Sequence, residues 1–93
     1  MSLIGHGVLG PGQAEYFDVL LTAGVNYKVY AKPVDPTVDF DLYIYDERGN
    51  EVAKDDTTAS DALCGITPRW TGPFRLMVKA ARGASLYSIV VTN

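Results

Sequence analysis

Apolar and polar residues alternate along most of this chain, most clearly in Val38–Asn50, VDFDLYIYDERGN. Phe40, Leu42 and Ile44 alternate there with Asp39, Asp41, Tyr43 and Tyr45. Successive side chains of a strand point to opposite faces. The stretch therefore predicts a half-buried strand with one wholly apolar face and one face of carboxylates and tyrosines. Asp46-Glu47-Arg48-Gly49-Asn50 predicts a tight turn, because Gly49 takes positive φ without steric cost and Asp and Asn bond their own backbone. Glu51–Lys54 would be the hairpin partner.

The same period recurs. Glu15–Thr22 sets Phe17, Val19 and Leu21 against Tyr16, Asp18 and Leu20. Val25–Val34 sets Val25, Tyr27, Val29 and Ala31 against Lys28, Tyr30 and Lys32. Ala62–Thr67 aligns Ala62, Cys64 and Ile66, and Phe74–Ala80 sends Phe74, Leu76 and Val78 inward and Arg75, Met77 and Lys79 outward. In Leu86–Thr92, Tyr87, Ile89 and Val91 close the core. The Gly-rich leading segment, residues 1–12, predicts an edge strand near Ile4–Leu9 and a turn at Gly10-Pro11-Gly12. No segment keeps a helical period. About seven to eight short strands, spaced roughly 8–12 residues apart, predict an all-β, antiparallel sandwich or barrel forming a single domain over residues 1–93.

Composition changes this picture little. Hydrophobic residues make up 47% and charged residues 20% of the 93 positions, enough for one modest core and not the make-up of a disordered chain. The net charge of −3, without a basic cluster, excludes a nucleic-acid footprint. No apolar run reaches the roughly 18 residues of a membrane span, so no membrane partner is expected. One cysteine excludes an intrachain disulfide. Met1-Ser2-Leu3-Ile4 lacks the charged and long apolar segments of a signal peptide, so the chain reads as cytosolic or as part of a larger protein.

Candidate chemistry is sparse. Gly5, Gly7 and Gly10 satisfy G-x-G-x-x-G, but no strand precedes them and Pro11-Gly12 follows, which excludes a dinucleotide turn. Cys64 with His6 as base lacks an orienting third group, and Cys64 shares its face with Ala62 and Ile66. It reads as a small buried apolar residue, and His6 as a solvated residue in a flexible, Gly-flanked segment. One His and one Cys cannot build a zinc site within the chain. No catalytic residue and no resident cofactor are therefore expected.

Asp39 and Asp41 stand about 7 Å apart along one strand face. With Asp46 they are the candidate ligands for calcium, Asn50, Asp55 and Asp56 being near in sequence. Calcium takes six to eight oxygens, and no loop carries a compact ligand pattern. The favoured reading is structural: these carboxylates bond strand or loop groups, or pair with Lys28, Lys32, Arg75 or Lys79. Tyr30, Tyr43 and Tyr45 should point away from the core. Exposed aromatics are enriched at recognition sites, although cross-strand pairing on a solvated face also places them there. Trp70, between two prolines, should cap one end of the fold.

The order GHGVLGPGQAEYFDVLLTAG, DFDLYIYDERGNEVAKDD, ITPRWTGPFRLMV and ASLYSIVVT resembles the bacterial pre-peptidase C-terminal domain over about Gly5 to Thr92. Its most specific pieces are Tyr16-Phe17-Asp18 before Ala23-Gly24, Asp39-Phe40-Asp41-Leu42-Tyr43 before Gly49-Asn50, and Thr71-Gly72-Pro73-Phe74. The resemblance implies a jelly-roll-like β-sandwich without catalytic residues. It also implies an accessory or removable module beside secreted proteases and other exported enzymes, hence a secreted or periplasmic location. Relatives among the collagen-binding domains of bacterial collagenases bind calcium and an extended protein. Their acidic N-terminal linker has no counterpart in MSLIGHGVLG.

The resulting expectation is a non-catalytic binding domain that contacts protein through Tyr30, Tyr43 and Tyr45. The partner would be the parent enzyme, a polypeptide substrate or a second copy. The alternatives are a stand-alone interaction protein that oligomerises through edge strands, or a carbohydrate-binding module of the same fold class.

Overall fold

The computed structural model describes residues 2–93. Eight strands follow one another: β1 (Ser2–Leu9), β2 (Ala14–Leu21), β3 (Tyr27–Pro33), β4 (Asp39–Tyr45), β5 (Glu51–Asp55), β6 (Ala62–Ile66), β7 (Gly72–Arg82) and β8 (Ser85–Thr92). They form two four-stranded antiparallel sheets, β1-β8-β3-β6 and β2-β7-β4-β5. The chain crosses between the sheets at every connection except the β4–β5 hairpin. This is the strand order of a jelly-roll β-sandwich.

The alternation explains the layers. Val29, Ala31, Ala62, Cys64, Tyr87 and Ile89 come from one sheet. They meet Leu21, Phe40, Leu42, Ile44, Phe74, Leu76 and Val78 from the other, all buried. Phe40 packs against the Tyr87 ring at 5.4 Å, and Phe17 meets it edge-on at 6.4 Å, so one aromatic cluster joins the sheets. Gly5 is required beside that cluster, since a Cβ there would run into the Phe17 ring.

The differences from the sequence reading fall at strand ends. β7 reaches Gly72–Arg82 rather than Phe74–Ala80, because Pro73 is admitted opposite Leu20 of β2, beyond the end of the β4 ladder at Tyr45–Arg75. There β7 has one neighbour, and a proline needs only one free side. Val25 falls before β3. His6 is not in a flexible segment: it is paired opposite Ser88 within β1 and faces solvent. At the β4–β5 hairpin Gly49 adopts φ of 83°.

Candidate functional site

The outward side chains of β2, β7, β4 and β5 form one continuous face, and the strand register sets its rows. Tyr16, Met77, Tyr43 and Lys54 lie side by side across the four strands. Asp18, Arg75, Tyr45 and Glu51 form the next row, and Ala14, Lys79 and Asp41 the row on the other side. Neighbouring strands are about 4.8 Å apart, so Tyr16 and Tyr43 stand about 10 Å apart across β7.

Arg75 organises the centre of this face. Its Nε donates to Asp18 Oδ1 at 2.9 Å, and its guanidinium carbon sits 5.9 Å from the centroid of the Tyr16 ring. Beside it opens a recess of about 700 Å³, walled by Tyr16, Asp18, Tyr45 and Arg75 and by the Asp46–Gly49 turn. Burial raises the phenol pKa of Tyr43, helped by Asp41, and that of Tyr45, helped by Glu51. Both rings therefore keep their protons at neutral pH and present hydroxyl donors.

Tyr30 is placed elsewhere. It belongs to β3 in the other sheet, with Lys28 and Lys32, and Lys32 Nζ lies 5.0 Å from its ring centroid. It cannot extend the patch of Tyr43 and Tyr45, and Lys28 and Lys32 neither rim that patch nor pair with Asp39 and Asp41. The aromatic residue that does extend it is Tyr16, 60% exposed. Its outward phase was readable from its alternation with Phe17. That β2 lies next to β7, which in turn borders β4, was not readable, because nothing local encodes it.

The three candidate metal ligands have separate roles. Asp46 Oδ1 accepts from the backbone N–H groups of Arg48 and Asn50, each at 2.9 Å, and Oδ2 accepts from Asn50 Nδ2 at 3.2 Å. These bonds, first that from the Asn50 backbone, lower its pKa. Asp46 is thus committed to its own turn. Asp41 is only 8% exposed, and its Oδ1 finds no partner; Asp39 Oδ1 is also buried without one. Burial, and then the charge on Asp39, raises the Asp41 pKa. Asp55 holds its loop by accepting from Thr57 and from the Leu63 backbone. Among the described residues no three His, Cys, Asp or Glu side chains are grouped to hold a metal ion.

Cys64 is buried in β6, its Sγ 3.6 Å from the Leu42 carbonyl oxygen, and burial pushes its thiol up to about 12. His6 lies on the opposite edge strand of the same sheet and faces away from the core, so the two cannot form a nucleophile–base pair. Trp70 stacks on Phe74 at 5.8 Å and stays 41% exposed, with an apolar recess beside it lined by Val52, Ile66 and Pro68.

The fold and this face together define a class: an antiparallel jelly-roll β-sandwich bearing an aromatic, arginine-centred recess on one outer sheet face. No known family model matches the sequence, and no curated protein matches it.

Proposed function

We propose that this chain is a non-catalytic protein-binding module of the pre-peptidase C-terminal type, serving an exported enzyme in a secreted or periplasmic setting. Its contact surface is the outer face of β2-β7-β4-β5. The observation that carries this reading is the meeting of Tyr16, Tyr45 and Arg75 around one open recess. Tyrosine and arginine with a polar rim are the make-up of interface hot spots. The recess opens on the outer face of a four-stranded sheet rather than being enclosed, which suits an extended polypeptide better than a small enclosed ligand.

The test is binding to immobilised extended polypeptides, gelatin and reduced, alkylated lactalbumin, by wild type and by the Tyr16→Ala/Tyr45→Ala double variant. Loss of more than about 2 kcal/mol of binding free energy is expected, with circular dichroism confirming that the variant folds. A folded double variant that binds both polypeptides as well as wild type does would sink the reading.

A further inference from the structure

The two sheets end in four edge strands, β1, β6, β2 and β5, and three of these carry a device that discourages pairing with another chain. The β1 ladder is broken by a register shift between Leu3 and Gly5. β5 is five residues long, bears Lys54 and has a register shift in its ladder; β6 is five residues long with Gly65 inside it. β2 has none of these. It runs for eight residues in unbroken register with β7, without proline, glycine or lysine. Its carboxylates leave the edge open as well: Asp18 is held by Arg75, and Glu15 turns in towards Gly7 of the facing sheet.

The ladder fixes which backbone groups β2 leaves unpaired. Ala80 donates its N–H to the Gln13 carbonyl at 3.0 Å, and Pro73, which has no N–H to give, stands opposite Leu20. In an antiparallel pair, residues that bond across the ladder alternate with residues whose groups point away from it. Glu15, Phe17, Val19 and Leu21 therefore bond β7, while Ala14, Tyr16, Asp18 and Leu20 turn their N–H and C=O groups to the open edge. No loop backbone among the described residues pairs with those groups.

We propose that β2 of one copy pairs antiparallel with β2 of a second copy about a two-fold axis at Phe17, joining two four-stranded sheets edge to edge. The occupant and the axis follow from self-complementarity. The outer faces must stay on one side, so only residues of equal phase can be opposed. With Phe17 on the axis, Tyr16 faces Asp18 and Ala14 faces Leu20. Every open N–H and C=O of the edge is then paired, two bonds to each pair, and no like charges are opposed. An axis at Asp18 sets the two Asp18 carboxylates against each other and leaves Ala14 unpaired; an axis at Tyr16 leaves Leu20 unpaired. On the inner side the half-buried Phe17 rings meet, a favourable aromatic cross-strand pair. On the outer side Tyr16 lies beside the Asp18–Arg75 pair of the other copy. Both copies use the same surface, so the contact closes at the dimer. A contact one strand long lies at the weak, transient end of specific interfaces. The inference does not depend on the polypeptide reading; where both hold, one continuous outer face carries two of the recesses.

The experiment is sedimentation velocity from about 10 μM to about 1 mM, a range matched to weak affinity. Wild type should pass from monomer to dimer and no further. Asp18→Pro removes an N–H that faces the edge and none that bonds β7; shown to be folded by circular dichroism, it should stay monomeric. Oxidative cross-linking of Tyr16→Cys and Asp18→Cys reads the register. Across the dimer these positions would stand about 5.5 Å apart between Cα atoms, a span that a disulfide bridges. Cys64 is buried and takes no part. An equimolar mixture of the two variants should give a disulfide-linked dimer, and neither variant alone should do so. A wild type that stays monomeric or grows beyond the dimer overturns the inference, as does a folded Asp18→Pro variant that dimerises like wild type. Cross-linking of either cysteine variant with itself, or none in the mixture, overturns the register, and this arm decides the matter if Asp18→Pro does not fold.

Discussion

β2 and β4 lie in the same sheet and carry the same alternation, yet their side chains are covered to different degrees. On β2, Tyr16 is 60% and Leu20 80% exposed, and even the inward Phe17 and Val19 are only half-buried. On β4 the inward Phe40, Leu42 and Ile44 are sealed, Tyr43 and Tyr45 are half-buried, and outward Asp41 is 8% exposed. β4 has β7 on one side and β5 on the other, whereas β2 is an edge strand with β7 alone. The sequence period decides which way a side chain points. Lateral neighbours, which only the topology supplies, decide how much water it keeps.

The largest expected effect tests the inward half of this comparison. Ile44→Ala should cost about 2–5 kcal/mol in urea unfolding, and Val19→Ala on the edge strand clearly less. Equal losses would mean that strand position does not control burial here. Next comes the outward half. Tyr43→Ala should destabilise by about 1 kcal/mol more than Tyr16→Ala, which should stay within about 0.5 kcal/mol of wild type, as exposed surface changes do. A reversed order would contradict the placement of β4 between β7 and β5.

Asp41 sharpens the contrast through pH. Its folded pKa is raised, so the folded chain holds that proton more tightly than the unfolded chain does. Asp41 therefore costs nothing below the ordinary carboxylate range. Its cost grows as pH rises through the window up to its folded value and stays constant above it. Asp41→Asn should raise the melting temperature at neutral pH, and the gain should shrink as pH falls from the raised folded value towards the ordinary carboxylate value of about 4 and vanish below it. Asp18→Asn, which breaks an exposed pair on the edge strand, should change little at any pH. An Asp41→Asn variant less stable than wild type at pH 7 would show that the carboxylate has a favourable partner. The smallest expected effect is that of calcium. Millimolar calcium should leave the melting temperature nearly unchanged, since a ligand stabilises only by binding the folded state. A clear rise that Asp41→Asn abolishes would assign a cation to Asp39 and Asp41.

Much of the fold was legible because it rests on period and punctuation. All eight strands, the Asp46–Asn50 turn and the buried state of Cys64 follow from alternation and from where Gly, Pro, Asp and Asn stand. The candidate site was half legible. Tyr43 and Tyr45 share a strand, so their common face is local information. Tyr16 joins them, and Tyr30 leaves, through the pairing of residues far apart in sequence.

The pairing of the first strand with the last has a consequence for rearranging the gene. β1 runs antiparallel to β8 with Ser2 opposite Val91, so the two ends of the described chain lie side by side. A short glycine linker could join them without crossing the sandwich. New ends opened in the Thr57–Ala59 loop, which is exposed, would leave every ladder intact. Such a circular permutant should fold, and the same adjacency would let the domain be spliced into a surface loop of another protein with little disturbance to either partner.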